Sequence, residues 1–218
     1  MATRSKQGIG ERLMAAQVAI DAVLGDGALQ AALTPFGYGP ERMAAGRVLF
    51  EETEALQQAQ QREYGEQFGA TAALEAVYAA ADTAYTRSLK LARVAFKGDV
   101  RAQQGLGLNG RRKKSVSGWA EQALQFYASL LQEPDFLAAM APFGYDAAKA
   151  QAEMDLVTAV RAANVTQENE KGDAQKATQL RDAKLDELDD WLADFKAVAE
   201  VALADDAQQL EKMGFGAV

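Results

Sequence analysis

Asp182, Asp186, Asp190 and Asp194 recur every four residues, with Glu187 and Asp189 among them. At helical spacing such carboxylates share one face, and grouped carboxylate oxygens are what hard cations such as calcium or magnesium take as ligands. A di-metal carboxylate site in a helical bundle also draws on Glu-x-x-His pairs that project inward. This chain has no histidine and no cysteine, and the acidic stripe lies off the apolar seam Leu185–Leu188–Leu192. The expectation is a solvated acidic face, no metal and no cofactor. Glu51, Glu52 and Glu54 are read in the same way.

The missing residue types exclude whole chemistries. Disulfides, thiolate nucleophiles, imidazole acid–base catalysis and most zinc, copper and haem sites all need His or Cys. A serine nucleophile would need lysine as its base, and no Ser-x-x-Lys occurs. The segment Gly105-Leu106-Gly107-Leu108-Asn109-Gly110 spells a glycine fingerprint. A dinucleotide loop needs a strand before it and a parallel sheet around it, whereas here a helix precedes. A flexible linker is expected instead.

Two further groups are candidates for binding. Arg111-Arg112-Lys113-Lys114, followed by Ser115 and Ser117, is a possible contact for an anion or a partner, set against a plain solvated linker. Arg4 and Lys6 stand at the corresponding place earlier in the chain. Tyr78, Tyr85, Trp191 and Phe195 could line a pocket for a small apolar or amphipathic ligand between the two halves of the protein.

The elements that must position these residues come in two series. Pro35-Phe36-Gly37-Tyr38 returns as Pro142-Phe143-Gly144-Tyr145, 107 positions later. The same offset aligns Gly65 with Gly172, Asp82 with Asp189 and Gly107 with Gly214. The expectation is an all-α protein, an antiparallel helical bundle of two tandem, pseudo-symmetric three-helix repeats. Their bounds are 1–108 and 109–218, packed as one globular unit.

In each copy a first helix (near 9–24 and 117–131) presents an apolar face. Leu13, Val18, Ile20, Val23 and Leu24 supply it first; Trp119, Leu124, Tyr127, Leu130 and Leu131 supply it second. A break follows at Gly25-Asp26-Gly27 or Glu133-Pro134-Asp135, suited to capping by Asp26 and to Pro134 at a first helical position. The Pro-Phe-Gly-Tyr turn then closes a short helix, its aromatics expected to lock the connector against the bundle.

The second helix starts near Pro40 or Ala147 and carries Met43, Leu49, Phe50 and Leu56, or Met154, Leu156, Val157 and Val160. Around Gly65 and Gly172 the pattern turns polar. A helical hairpin is favoured there over one continuous helix of nearly 60 residues, because helices that long are rare. The third helix carries the seam Leu185, Leu188, Leu192, Phe195, Ala199 and Ala202, matched by Tyr78, Ala81, Tyr85, Ser88, Ala92 and Ala95. Val94 and Val201 are expected to widen that face.

Hydrophobic residues make up 49% of the chain, mostly alanine and leucine, and the formal charge is −8. The charge is uneven. Residues 1–114 hold 15 basic and 12 acidic groups, and residues 115–218 hold 8 and 19. Opposite net charges favour pairing within the chain over homodimers, and the acidic total argues against nucleic acid. No run approaches the length of a membrane span, and Met1 to Lys6 lead into an amphipathic helix. The sequence therefore suggests a cytoplasmic, non-catalytic structural or protein-interaction module. Its partner is unidentified, membrane insertion is not expected, and a monomer with an internal pseudo-dimer is favoured. Ligand binding between the repeats is the alternative.

Overall fold

Local chemistry sets the element boundaries. In the computed structural model, which describes residues 7–216, α1 (Ile9–Leu24) breaks before Asp26, whose carboxylate accepts from the backbone N–H groups of Ala28 and Leu29 and opens α2 (Gly27–Leu33). A 3₁₀ turn, Thr34–Phe36, ends on Gly37 at φ 84°, a left-handed conformation that favours glycine. From Pro40 a single helix, α3 (Pro40–Ala95), runs for 56 residues. Gly98 turns the chain at φ 89°, and Asp99 caps α4 (Val100–Gly105) through the Ala102 N–H.

The second half follows the same order. Ser115 caps α5 (Val116–Gln132), Pro134 opens α6 (Pro134–Met140), and the turn Ala141–Phe143 ends on Gly144 at φ 68°. Asp146 accepts from the Lys149 N–H at the start of α7 (Ala147–Ala202), again 56 residues. Asp206 caps α8 (Ala207–Lys212). Among the described residues there is no strand, so the protein is all-α. Arg4 and Lys6 lie outside the described residues.

The hairpin expectation is corrected: α3 and α7 pass through Gly65 and Gly172 without a break. An isolated helical glycine costs only about 1 kcal/mol relative to alanine. The polar stretch around it is rich in Gln, Glu, Lys and Ala, which are good helix formers. Lys171 pairs with Glu168 at i,i+3, and Gln167 is 7% exposed, with its amide reaching Thr71 at 3.5 Å. Local polarity marked a surface there, not a turn.

The chain divides into two compact units, Met1–Glu63 with Ala174–Val218, and Tyr64–Asp173. This division runs across the segments 1–108 and 109–218, because each long helix contributes one end to each unit. The first unit has a core of Ala16, Ile20, Val23, Leu33, Tyr38, Met43 and Phe50 against Leu188, Phe195, Ala199 and Met213. In it residue 46 meets 191, 53 meets 184 and 57 meets 181, so the two long-helix segments run antiparallel. The second unit packs Ala81, Tyr85, Leu89 and Phe96 against Trp119, Phe126, Tyr127, Tyr145 and Val157.

Several expected core residues face outward: Val18, Leu24, Leu156, Val94 and Val201 are exposed, the last two at 61% and 67%. Alanines 16 and 19 take the inward places on α1, where their small side chains let helices approach closely. The glycine segment is no free linker. Leu106 and Leu108 are buried on either side of Gly107, which adopts φ 62°.

Candidate functional site

In the second unit three buried hydroxyls converge on Glu153, on the first part of α7. The hydroxyls of Tyr127 and Tyr145 both donate to its Oε2, the former at 3.1 Å. Ser88 Oγ lies within reach of the same oxygen, and 3.1 Å from both the Tyr145 hydroxyl and the Ala84 carbonyl, so its single proton has three acceptors. Ser88, Tyr127 and Tyr145 are each 1% exposed or less, while Glu153 is half-buried. Burial raises the pKa of both tyrosines above the ordinary tyrosine value, and the Glu153 carboxylate adds to it. They remain protonated donors to a carboxylate. The geometry holds α3, α5, the Tyr145 turn and α7 at one point.

A second polar contact recurs in both units. Asp82 accepts from the Trp119 indole N–H at 2.8 Å and from Arg112. Asp189 accepts from Arg12, which also approaches Asp186 at 3.6 Å. Residues 82 and 189, and residues 12 and 119, are each separated by the 107-residue offset. In both units an N–H donor on the first helix of one segment meets an aspartate on the long helix of the other.

The candidate anion or partner contacts divide accordingly. Arg112 folds back on α3, bonding Asp82 and Thr86 and stacking on Tyr85 at 5.3 Å, so it braces the core of its unit. Lys113 pairs with Glu121 at 2.8 Å, and the Arg111 carbonyl accepts from Gln122. Lys114 is exposed. Lys113 also lies on an open groove of about 850 Å³ between the start of α5 and residues 161–165 of α7. Val116, Ala120, Leu124 and Val165 form its apolar wall, and Arg161 and Asn164 its polar edge. Val165 is 60% exposed, and Arg161 has no ion-pair partner among the described residues.

The four residues expected to line one ligand pocket fall into two cores. Tyr78 and Tyr85 pack on Trp119, with ring centroids 4.6 and 6.0 Å away. Trp191 and Phe195 pack on Tyr38 at 6.1 and 5.0 Å. The repeated turn motif divides as well. Tyr38 and Tyr145 are buried anchors, whereas Phe36 and Phe143 are 47% and 40% exposed, so only the tyrosines lock the connector. Pro35 and Pro142 are the second residues of the 3₁₀ turns that Gly37 and Gly144 close. Within the acidic stripe, Asp186 faces Arg12 and Asp182 faces Arg181. Lys184 bridges Glu52 and Glu187.

Sequence reasoning missed Glu153, Tyr127 as a polar group, and Arg161. A signal for Glu153 was present: a carboxylate sits among the inward positions of α7, where the 107-residue offset places Gly46 in α3. Comparison with family models, with curated proteins and with solved structures finds no match for this chain.

Proposed function

We propose that the chain is a non-catalytic structural or protein-interaction module. In this reading two tandem helical repeats, 1–108 and 109–218, arose by duplication and pair as an internal pseudo-dimer. The repeat reading is supported by two series of elements in one order and of nearly equal length: 16 and 17 residues, 7 and 7, 56 and 56, then 6 and 6. The paired contacts Asp82–Trp119 and Asp189–Arg12 support it independently, since each joins one repeat to the other.

The observation that carries the interaction reading is the groove beside Val165. Its exposed hydrocarbon, with Arg161 free of an ion pair among the described residues at one edge and the Lys113–Glu121 pair at the other, suits an amphipathic helical segment that brings an acidic residue to Arg161. A cytoplasmic setting, a monomeric state, no cofactor and no nucleic-acid ligand belong to the same reading. They rest on the acidic total, on the opposite net charges of residues 1–114 and 115–218, and on the lack of cysteine and histidine. No helix among the described residues is long and apolar enough to cross a membrane. The test is cross-linking of the tagged full-length protein in its source cells, followed by mass spectrometry. One recurring acidic partner should be cross-linked at Lys113 and lost in a stably folded Val165→Glu variant. A partner retained equally by that variant would sink the groove.

A second reading, small-ligand binding between the repeats, is favoured by a cleft of about 300 Å³ in the first unit. Its floor is Leu192, Met213 and Phe215, with Arg12, Asp189 and Lys196 at the edge. That volume is at the lower end for a ligand site. Native mass spectrometry of the purified protein tests it: a retained small molecule displaced by Ala15→Trp supports it, and none detected counts against it.

A further inference from the structure

We infer that residues 46, 191 and 195 in one unit, and 153, 84 and 88 in the other, form two incompatible keys, so that each repeat accepts the other repeat and rejects a second copy of itself. The inference rests on the tandem-repeat reading. Across the 107-residue offset Gly46 corresponds to Glu153, Ile20 to Tyr127, Trp191 to Ala84 and Phe195 to Ser88, while Tyr38 and Tyr145 are unchanged. The differences are coordinated. In the first unit the Trp191 indole occupies the space a Cβ on Gly46 would need, and it packs with Phe195 and Tyr38. In the second, Glu153 fills the equivalent position of α7, Ala84 stands where the offset places Trp191 in the first, and Ser88 with Tyr127 supplies hydroxyls to its carboxylate.

Exchange of partners breaks both keys. Two second repeats side by side would set Glu153 against Trp191 and Phe195, where an indole fills its space and the Ser88 hydroxyl is missing. A half-buried carboxylate stripped of a hydrogen-bond partner is costly. Two first repeats would set Gly46 against Ala84 and leave a void in place of the indole. Specificity here is the difference between matched and mismatched pairings, produced by steric and polar conflict as much as by attraction.

The experiment uses the full chain and urea denaturation. Gly46→Glu alone, and Ile20→Tyr with Trp191→Ala and Phe195→Ser, each install half of the other key in the first unit and should lower the midpoint. The four changes together install the whole key, and their midpoint should rise above both partial sets. A combined midpoint at or below the lower partial set, as independent effects would give, overturns the inference. A milder cycle remains readable if those variants fail to fold. Gly46→Ala should lower the midpoint in wild type and leave it unchanged or raised in a Trp191→Ala background; an equal loss in both backgrounds overturns the key. Either failure leaves the tandem-repeat reading standing. That reading falls instead if residues 20, 38 and 46 do not superpose on 127, 145 and 153 in an experimental structure.

Discussion

Trp191 lies against Gly46 so closely that any side chain at residue 46 would enter its indole ring. Backbone and ring are in contact because α3 has no Cβ there. Gly46→Ala is expected to destabilise the protein by about 1–3 kcal/mol, the usual cost of overpacking a filled core. Equilibrium urea unfolding checks it: the midpoint should fall with the slope unchanged.

Gly65 and Gly172 should respond with the opposite sign. Both are inside continuous helices, and a Cβ built on either meets nothing within 4 Å. Gly65→Ala and Gly172→Ala should each stabilise by about 0.5–1 kcal/mol, chiefly by restricting the unfolded chain. A loss of thermal stability in both variants would argue for a turn at these positions.

Glu153 is held by hydroxyls that have few other partners. Glu153→Leu leaves the buried Tyr127 hydroxyl without its acceptor and the Tyr145 hydroxyl with Ser88 Oγ alone, and should cost about 1–3 kcal/mol. Glu153→Gln keeps an acceptor oxygen and should cost less. Equal losses for the two variants would show that the hydroxyls find other acceptors.

The same tyrosines make stability fall at alkaline pH. Their folded pKa values are raised by burial above the value of 10.0 that the unfolded side chains have. Above pH 10 the unfolded chain releases protons that the folded chain retains, so the unfolded state is favoured progressively. The contribution is fully present below pH 10. Urea midpoints measured from pH 8.5 to 11 should decline, and less steeply in Tyr127→Phe.

Exposure separates the ion pairs. The Arg12 side chain is 18% exposed and reaches both Asp186 and Asp189, whereas Arg101, paired with Glu133, is 67% exposed. Arg12→Ala should cost about 1–2 kcal/mol through its charge-assisted bonds, and Arg101→Ala within about 0.5 kcal/mol. Thermal melts at low and high salt check the ranking, with the Arg12 pair less sensitive to screening.

The parts legible in the sequence are those whose causes are short-ranged. Asp26 and Pro134 act on backbone groups within a turn of themselves, and Gly37 and Gly144 satisfy a local left-handed bend. The helix starts and stops therefore followed from residue types alone, as did the seam through Leu188 and Phe195. The behaviour of Gly65 and Gly172 did not. A local loss of about 1 kcal/mol at each is outweighed by what the helix buries on either side of it, and that depends on residues from some tens to more than a hundred positions away. For the same reason spacing alone could not separate Tyr78 and Tyr85 from Trp191 and Phe195, nor bring Ser88, Tyr127 and Tyr145 to Glu153. Sequence fixes the helices because their hydrogen bonds close within four residues; which helix ends share a core is decided only when side chains from distant segments fill the same volume.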